Sequence, residues 1–276
     1  MNKIKLVAEL GINHNGDLKI AKQLIDIAKT AGCDYVKFQK RTIDLVYTEE
    51  ELNKYRESPW GTTNRQQKEG LEFSKEDYDW IDMYCKQVGI EWFASPWDIE
   101  SVKFLAQYGL PFIKIASACV VDSSILAAIV GDSNSSVIIS TGMSTGDEVI
   151  RCTNNFGKRV EYILACTSTY PTANYEMNLS FITTLKQLYP GTKVGFSNHS
   201  PGIMYMVVAA ALGAKMLEFH ITLDRSMPGS DQAASIEPEG VFKLVKHVRN
   251  LEKAMGDGNW KVYPSEEKIK EKLRKW

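Results

Sequence analysis

The sequence lacks the features that mark several large classes of protein. Its net charge of −1 gives no global attraction to nucleic acid or to a membrane surface. No apolar run approaches the roughly 20 residues of a membrane span. The N-terminal stretch enters a strand-like run without the small-residue cleavage site of a signal peptide. We therefore expect a cytoplasmic protein that binds neither nucleic acid nor membranes.

Cysteine is also scarce. The five cysteines are odd in number and widely spaced, which fits neither a disulfide framework nor a zinc ribbon, and we interpret them as reduced thiols. The turn at residues 11–17 is neither a Walker loop nor a dinucleotide fingerprint, so no nucleotide site is assigned to it. The remaining composition, 44% hydrophobic and 24% charged, is typical of a soluble domain.

The chain does contain eight apolar runs that alternate with amphipathic helical segments. The runs are apolar enough to be buried on both faces, which favours a parallel sheet. Open doubly wound sheets usually have five or six strands, so about eight strand–helix units predict a closed (β/α)₈ TIM barrel. We expect a single domain over residues 1–276, with a tail over residues 256–276 that ends in a helix around 265–275.

Caps and turn residues predict the helices and the longer loops. A helix over residues 18–31 ends at Gly32, and a helix over 74–88 begins at Ser74. Residues 40–73 are too long for a simple barrel loop and are predicted to form a lid or substrate loop. A second irregular loop spans residues 224–237. The other helices are predicted over residues 98–107, 122–130, 145–155, 178–188, 202–212 and 238–255.

Polar or charged residues end each of the eight apolar runs. In a barrel the carboxyl ends of the strands meet at one mouth, where functional groups collect. Two lysines, two histidines, two carboxylates and several hydroxyls at one mouth suit an anionic substrate and a metal. The strand-end candidates are Glu9, Lys37, Gln39, Ser95, Lys114, Ser117, Ser140, Thr141, Thr167, Tyr170, Ser197, His199, Glu218 and His220.

His199 and His220 end the last two runs, so they can converge although they are distant in sequence. Neutral imidazoles suit a divalent transition metal, and two protein ligands leave room for water and a substrate oxygen. The alternative is a pair of hydrogen-bonded structural histidines.

Lys37 and Lys114 lie within apolar strands, where an unpaired ammonium would be costly. They could hold a carboxylate or phosphate, or form a buried ion pair with Glu9 or Glu218. Lys114 could also form a Schiff base, as in lysine aldolases.

Hydroxyl-rich turns at Ser117 and at Ser140, Thr141 and Gly142 begin strand–helix loops. Hydroxyls, backbone amides and helix N-termini there suit phosphate, although the same residues are common N-caps. Asp231 lies in the last loop, either as a turn residue or as a group at the mouth.

At these residues the chain resembles the sialic acid synthase family. The matching stretches occur in order over residues 7–238: AELGINHNGD, VKFQ, FASPWD, IKIASA, STGMS, TSTYPT, GFSNHS, LEFHITLDR and PGSDQAASIEP. The resemblance implies a (β/α)₈ barrel that condenses phosphoenolpyruvate with an N-acetylhexosamine-like aldose, giving a nonulosonic acid and phosphate. It also implies a homodimer.

The resemblance assigns roles by position. His199 and His220 match the ligands of a divalent metal, most often Mn²⁺, with Mg²⁺ or Co²⁺ as alternatives. The phosphoenolpyruvate-binding set is Lys37, Ser95, Lys114 and Ser117, and the phosphate-contacting set is Ser140, Thr141, Gly142 and Ser197. Positions facing the acceptor sugar are Gln39, Tyr170 and Asp231. Glu9 and Glu218 match acidic active-site positions, and we expect catalytic roles for Asp231, Glu9 and Glu218.

The chain departs from the family pattern at three positions, and these put the acceptor in question. Cys119 stands where many members have Glu or Asp, Ala165 stands where many have His, and Ser168 replaces an Asn that contacts the acceptor in some members.

The sequence ends at Trp276, and we expect a short form that lacks the family's antifreeze-like domain. In bacterial members that domain supplies an arginine to the acceptor across a dimer. We expect residues 40–73, which carry Arg41, Arg56 and Arg65, to close the acceptor side instead.

Three functional hypotheses follow. The first is phosphoenolpyruvate condensation, with Asp231 moving protons at the sugar oxygen and Glu9 orienting water. The second is a Schiff-base pyruvate aldolase that uses Lys114. The third is a non-catalytic paralogue that binds phosphoenolpyruvate and sugar.

Overall fold

Strands alternate with helices through the described part of the chain, which in this computed structural model comprises residues 3–274 and residue 276. Met1, Asn2 and Lys275 belong to the predicted domain and tail but lie outside the described residues. The strands are β1 Lys5–Gly11, β2 Tyr35–Lys40, β3 Tyr55–Ser58, β4 Gly61–Thr63, β5 Glu91–Pro96, β6 Phe112–Ile115, β7 Ser136–Ser140, β8 Val160–Cys166, β9 Lys193–Asn198 and β10 Met216–His220. The helices are α1 Leu18–Ala31, α2 Ile43–Val46, α3 Glu49–Leu52, α4 Asn64–Leu71, α5 Lys75–Val88, α6 Ile99–Ala106, α7 Ser123–Asp132, α8 Gly146–Phe156, α9 Phe181–Leu188, α10 Met204–Ala211, α11 Pro238–Ala254 and α12 Pro264–Leu273.

Eight of the strands close into a parallel barrel in the order β1-β10-β9-β8-β7-β6-β5-β2. The ring closes because β1 pairs with β10 on one side and with β2 on the other. The prediction of a (β/α)₈ barrel is confirmed. The carboxyl ends of all eight strands therefore lie at one mouth.

The barrel strands are buried on both faces, as their continuous apolar sequences predict. Helix α1 shows how the outer layer is built. Its residues Ala21, Leu24, Ile25 and Ala28 are buried against the barrel. Gly32 ends the helix with φ 94°, a left-handed conformation that glycine adopts without strain.

The segment over residues 40–73 has secondary structure of its own. It contains α2, α3 and α4 and the antiparallel hairpin of β3 and β4. Thr63 begins α4 with a capping box that also uses Gln66. The segment packs against the β1–α1 turn so closely that a Cβ on Gly16 would overlap the carbonyl oxygen of Gly70. It is therefore held at the mouth side, next to the strand ends.

A charged cluster around Asp34 joins the opposite, amino ends of the strands to α11. Oδ1 of Asp34 accepts a hydrogen bond from Lys3 at 2.8 Å. Oδ2 of Asp34 accepts hydrogen bonds from the Leu6 amide and from Arg249, each at 3.0 Å. Arg249 also donates to the Ile4 carbonyl at 2.8 Å and to Glu252 at 2.9 Å. We call these residues the Asp34 cluster.

Helix α12 confirms the predicted tail helix as far as it lies within the described residues, and its side chains are exposed. Among residues 3–274 and residue 276, no helix has both the length and the apolar content needed to cross a membrane.

Candidate active site

Strand register brings the predicted charged residues together at the mouth. Glu9 on β1 lies in register with His220 on β10 and with Lys37 on β2. On the next pair, Glu218 lies in register with Ser197. Residues far apart in sequence thus become neighbours because the sheet is closed.

A cavity of about 140 Å³ opens at this mouth. The residues to which the resemblance assigns roles line it, except Thr141, Gly142 and Asp231. The predicted residues that line it are Glu9, Lys37, Gln39, Ser95, Lys114, Ser117, Ser140, Tyr170, Ser197, His199, Glu218 and His220.

The ion-pair alternative for Lys37 is present in the structure. Its Nζ lies 2.7 Å from Oε2 of Glu9, and both side chains are buried. Gln39 donates to the other oxygen of Glu9 at 2.7 Å. Burial raises the pKa of Glu9 to about 7, although Lys37 opposes the shift. Burial lowers the pKa of Lys37, but the carboxylates of Glu218 and Glu9 outweigh it and raise that pKa overall. Glu9 is therefore the carboxyl whose proton is easiest to exchange near neutral pH.

Lys114 and Glu218 form a second buried charge group. The Lys114 ammonium donates to Ser140 Oγ at 2.6 Å and to the Ile115 carbonyl at 3.1 Å. Burial lowers its pKa. Burial would raise the pKa of Glu218, but Lys37 and Lys114 lower it to about 2, so this carboxylate stays ionised. Oε1 of Glu218 accepts a hydrogen bond from Ser197 at 3.0 Å, whereas Oε2 is buried without a hydrogen-bond partner in the part of the chain that the structure describes.

The two histidines lie side by side, with ring centroids 5.4 Å apart. Nδ1 of His199 lies 2.7 Å from the Thr167 carbonyl, so it donates its proton there, and Nε2 lies 2.9 Å from the Tyr170 hydroxyl. Burial lowers the pKa of His220 to about 4, and its Nδ1 is buried without a hydrogen-bond partner. His220 is therefore a neutral imidazole at neutral pH.

These donors fit an incomplete divalent-metal site. The described residues contain no group of three or more His, Cys, Asp or Glu side chains that could hold a metal ion. Two imidazoles, of which that of His220 is neutral and has an unpartnered ring nitrogen among the described residues, suit an open site that water or substrate completes.

Three residues with roles assigned by the resemblance lie outside the cavity, as does the strand-end candidate Thr167. The hydroxyl and the amide of Thr141 both donate to the Leu164 carbonyl at 3.1 Å, and its predicted contact with phosphate stays a prediction. Position 142 requires glycine, because a Cβ there would overlap the Ser168 hydroxyl. Asp231 borders a neighbouring cavity and places Oδ2 3.7 Å from Nδ1 of His220.

Of the three departures from the family pattern, only Ser168 lines the cavity. Cys119 is buried with its thiol 3.9 Å from the Pro96 carbonyl, and burial raises its pKa to about 11. Ala165 is buried at the end of β8. These two residues therefore lie outside the cavity, and their effect on the choice of acceptor stays a prediction.

Sequence reasoning missed Cys166 and Trp97, which also line the cavity. The Cys166 thiol lies 3.9 Å from Nδ1 of His199 and 3.6 Å from the Ser117 hydroxyl. Burial opposes ionisation of the thiol, but His199 and Lys114 lower its pKa to about 7. The position of Cys166 at the end of the sixth apolar run could have indicated a site residue. The wide spacing of the cysteines instead led to its interpretation as an ordinary reduced thiol.

The arginines expected to close the acceptor side have separate roles. Arg41 borders the neighbouring cavity. Arg65 forms ion pairs within the segment over residues 40–73, with Asp44 at 2.6 Å and Glu49 at 2.7 Å. Arg56 is exposed on β3.

A closed barrel with two buried lysines, two carboxylates and a histidine pair around a small cavity defines an enzyme that acts on a small anionic substrate. Comparison with known families identifies the NeuB family over residues 24–260. The chain belongs to the NeuB family.

Individual relatives agree with this assignment. The chain is 37% identical to the N-acetylneuraminate-9-phosphate synthase of Homo sapiens, over 98% of this chain and 76% of that protein. It is 35% identical to the N,N'-diacetyllegionaminic acid synthase of Campylobacter jejuni, over 97% of this chain and 82% of that protein. The solved sialic acid synthetase of Leptospira borgpetersenii, in complex with citrate, superimposes with a TM-score of 0.83 at 30% identity and covers 100% of this chain and 94% of that one. The prediction of an enzyme of the sialic acid synthase type is confirmed.

Proposed function

We propose that this protein condenses phosphoenolpyruvate with an N-acetylhexosamine-like aldose to form a nonulosonic acid and release phosphate. The observation that carries the proposal is the pair of buried ammonium groups, Lys37 and Lys114, in a cavity of about 140 Å³ at the mouth of a NeuB-family barrel. Buried lysines of this kind bind a compact anion at low desolvation cost, because their own burial is already part of the fold.

Phosphoenolpyruvate carries a carboxylate and a phosphate, and the cavity offers cations and hydroxyls to both. Lys37 lies 3.3 Å from Ser95 Oγ, and Lys114 lies 2.6 Å from Ser140 Oγ. Ser117 and Ser197 add hydroxyls to the same wall. These groups would hold the enol carbon in a fixed orientation toward the acceptor aldehyde. The hydroxyls and the backbone of the Ser140 turn are the proposed phosphate contacts.

A divalent cation, most often Mn²⁺ in this family, would be held by His199 and His220 and would supply Lewis-acid polarisation of the sugar carbonyl. Around that site the chain's own groups handle protons. Carbon 3 of phosphoenolpyruvate bonds to the aldehyde carbon, water adds at carbon 2, and the resulting tetrahedral centre expels phosphate. Glu9, with its pKa raised to about 7, accepts a proton from that water, and Asp231 is the proposed proton donor at the sugar oxygen.

A second candidate function rests on one observation, the lowered pKa of the buried Lys114 amine. Such an amine could form a Schiff base with pyruvate. Borohydride trapping of pyruvate on Lys114, together with full activity in chelator, would favour this aldolase. A non-catalytic paralogue is the third candidate, and it would bind phosphoenolpyruvate without releasing phosphate.

The decisive experiment measures phosphate release from phosphoenolpyruvate with added Mn²⁺ against a panel of aldoses. The panel includes N-acetylmannosamine, its 6-phosphate and diacetamido sugars, and mass spectrometry identifies the product. A product whose mass is the sum of the aldose and pyruvate supports condensation. Binding of phosphoenolpyruvate without release across the whole panel would refute it.

We also propose a cytoplasmic homodimer that contacts neither nucleic acid nor membranes. The support is the family resemblance and the net charge of −1. Sedimentation velocity at several protein concentrations tests the dimer, and a monomer at all of them contradicts it.

A further inference from the structure

The turn between β1 and α1, residues 11–17, takes no part in the proposed chemistry, although it lies between two loops of the mouth. On one side, the His14 ring stacks on Phe73 of the segment over residues 40–73, with ring centroids 4.0 Å apart. Nδ1 of His14 also accepts a hydrogen bond from the Gly16 amide at 3.1 Å, within the turn itself. On the other side, Asn13 reaches the loop that carries Asp231. The turn therefore contacts both loops.

The side chain of Asn13 is fully buried, and both of its N–H bonds have partners in the chain that follows β10. Nδ2 donates to the Ile221 carbonyl at 2.8 Å and to Ser235 Oγ at 2.7 Å. A carbonyl oxygen can only accept, so the amide group of Asn13 has one orientation, with Nδ2 directed at that part of the chain. The turn after the first strand is thus bonded to the loop after the last one.

The Ser235 hydroxyl extends this contact to Asp231. Ser235 is fully buried, and its Oγ donates to the Asp231 carbonyl at 2.7 Å while it accepts from Asn13. The carboxylate of Asp231 lies beside the histidine pair, with Oδ2 3.7 Å from Nδ1 of His220. A continuous line of hydrogen bonds therefore runs from Asn13 through Ser235 to the backbone of Asp231.

Gln232 makes a second connection between the same turn and the same loop. It directly follows Asp231 and is buried. Its Nε2 lies 3.4 Å from Oδ1 of Asn15 and 3.5 Å from the Asn13 carbonyl, and its Oε1 accepts a hydrogen bond from Thr222. Asp231 is therefore followed by two buried side chains, Gln232 and Ser235, that the turn holds in place.

The residues before Asp231 restrict it less. Gly229 has φ 149°, a conformation that residues with a side chain rarely adopt, and glycine leaves the backbone free to take others. The position of the Asp231 carboxylate therefore depends on the anchor that follows it. A group that exchanges a proton with a substrate must lie within hydrogen-bond reach of it, and a misplacement of about 1 Å can cost about 10²-fold in rate.

We propose that Asn13 and Ser235 are positioning residues, whose hydrogen bonds hold the Asp231 carboxyl group beside His220 and toward the acceptor sugar. The inference rests on the proposed function, which gives Asp231 its role at the sugar oxygen. Phosphoenolpyruvate is held by Lys37 and Lys114, which belong to other strands, β2 and β6. Loss of the anchor should therefore lower kcat and leave KM for phosphoenolpyruvate nearly unchanged.

The test begins with Ser235→Ala, which removes the hydroxyl with the smallest change in volume. Phosphate release with an accepted aldose and Mn²⁺ gives kcat and KM for phosphoenolpyruvate. Ser235→Ala should lower kcat about 10-fold and change KM by no more than about twofold. Ser235→Thr keeps the hydroxyl and should restore kcat to within about threefold of wild type. Ser226→Ala, at an exposed serine of the same loop, is the matched control.

A double-mutant cycle with Asp231→Asn separates positioning from a structural role. In that background Ser235→Ala should lower kcat no more than about twofold, because the group that Ser235 positions is already gone. Equal losses in both backgrounds, or a raised KM for phosphoenolpyruvate with kcat unchanged, overturn the proposal. Asn13→Asp removes both N–H donors and should repeat the pattern, and a folded Asn13→Asp with wild-type kcat refutes the role of Asn13. The Ser235 variants decide the result where Asn13→Asp is too unstable to assay.

Hydrogen–deuterium exchange tests the anchor without activity. The peptide over residues 229–236 should exchange faster in Ser235→Ala than in wild type and in Ser226→Ala, because the Ser235 hydroxyl no longer holds the Asp231 carbonyl. If no aldose of the panel releases phosphate with wild type, the proposed function fails by itself, and this exchange then decides the anchor. Unchanged exchange in Ser235→Ala overturns the proposal in either case.

Discussion

The two ends of the barrel both contain buried charges, but they differ in how many of their polar atoms have hydrogen-bond partners. In the Asp34 cluster both carboxylate oxygens have partners, and Arg249 donates to two carboxylates and a carbonyl. At the mouth, Oε2 of Glu218 and Nδ1 of His220 are buried without hydrogen-bond partners among residues 3–274 and residue 276. The carboxylate of Asp34 is therefore fully hydrogen-bonded within the protein, whereas the mouth keeps two buried polar atoms that could bind a ligand.

This difference separates stability from function. A satisfied ion pair contributes to folding, because nothing in it is left to desolvate unpaired. Buried groups without partners cost free energy, and natural proteins keep them where a substrate or metal binds. Substitutions at the mouth should therefore lower activity with little loss of thermal stability. Substitutions in the Asp34 cluster should lower thermal stability with little loss of activity.

The largest effect is expected at the histidine pair. His220→Ala should lower phosphate release at least about 10³-fold, and chelation of wild type should have a similar effect that added Mn²⁺ reverses. The melting temperature should change little, because Nδ1 of His220 has no hydrogen-bond partner to lose. Exposed His247 on α11 provides the control variant His247→Ala. Full activity of His220→Ala in chelated buffer would remove the metal role.

Lys114→Met should lower kcat/KM for phosphoenolpyruvate about 10²- to 10³-fold, because a preorganised cation is lost from the substrate. Its melting temperature should fall less than that of Arg249→Met, since burial already opposes the Lys114 ammonium, Lys37 still offsets the Glu218 carboxylate, and Met has a similar volume. Lys103→Met, at an exposed lysine paired with Glu100, is the control. A large drop in melting temperature with activity retained would make Lys114 a structural residue.

Arg249→Met tests the other end of the barrel. It should lower the free energy of unfolding by about 2–4 kcal/mol, because Asp34 and Glu252 lose a shared partner. The kcat should stay within about twofold of wild type. Urea unfolding and phosphate release measure the two effects, with exposed Arg151→Met as control. A lower kcat without a lower free energy of unfolding would contradict the assignment of Arg249 to stability rather than to catalysis.

The smallest effect is a pH dependence of stability at Asp34. Burial would raise its pKa, but Lys3 and the Leu6 amide lower it below the ordinary value of 3.8. Its stabilising contribution is therefore fully present above that value and is lost as the pH falls through the folded-state pKa. In urea titrations, the advantage of wild type over Asp34→Asn should be constant from pH 7 to about 5 and narrow below about pH 4. An advantage that widens on acidification would contradict the assignment.

Local signals predicted most of the helices. The helix over residues 18–31 and the start of the helix at Ser74 were correct, because caps and apolar periodicity are properties of short segments. The hairpin of β3 and β4 was missed. Its strands are short and mostly exposed, and their pairing depends on packing within the segment over residues 40–73.

The site was predicted in composition more than in arrangement. Strand ends were enough to bring Glu9, Lys37 and His220 to one mouth. The sequence could not tell that Thr141 donates to Leu164, because that contact depends on how β7 and β8 pair. The neighbouring cavity that Arg41 and Asp231 border was not predicted, since its walls come from segments that approach only in the folded chain.

The alternation of buried strands and amphipathic helices, with polar residues at the strand ends, is written into the sequence itself. It determined a closed barrel with a charged mouth, because period and burial are local consequences of residue type. Tertiary structure alone decided that Lys37 pairs with Glu9 and that both carboxylate oxygens of Asp34 have partners. Those outcomes depend on register and on distances between segments remote in sequence, and burial then sets the pKa values and the free donors that the chemistry uses.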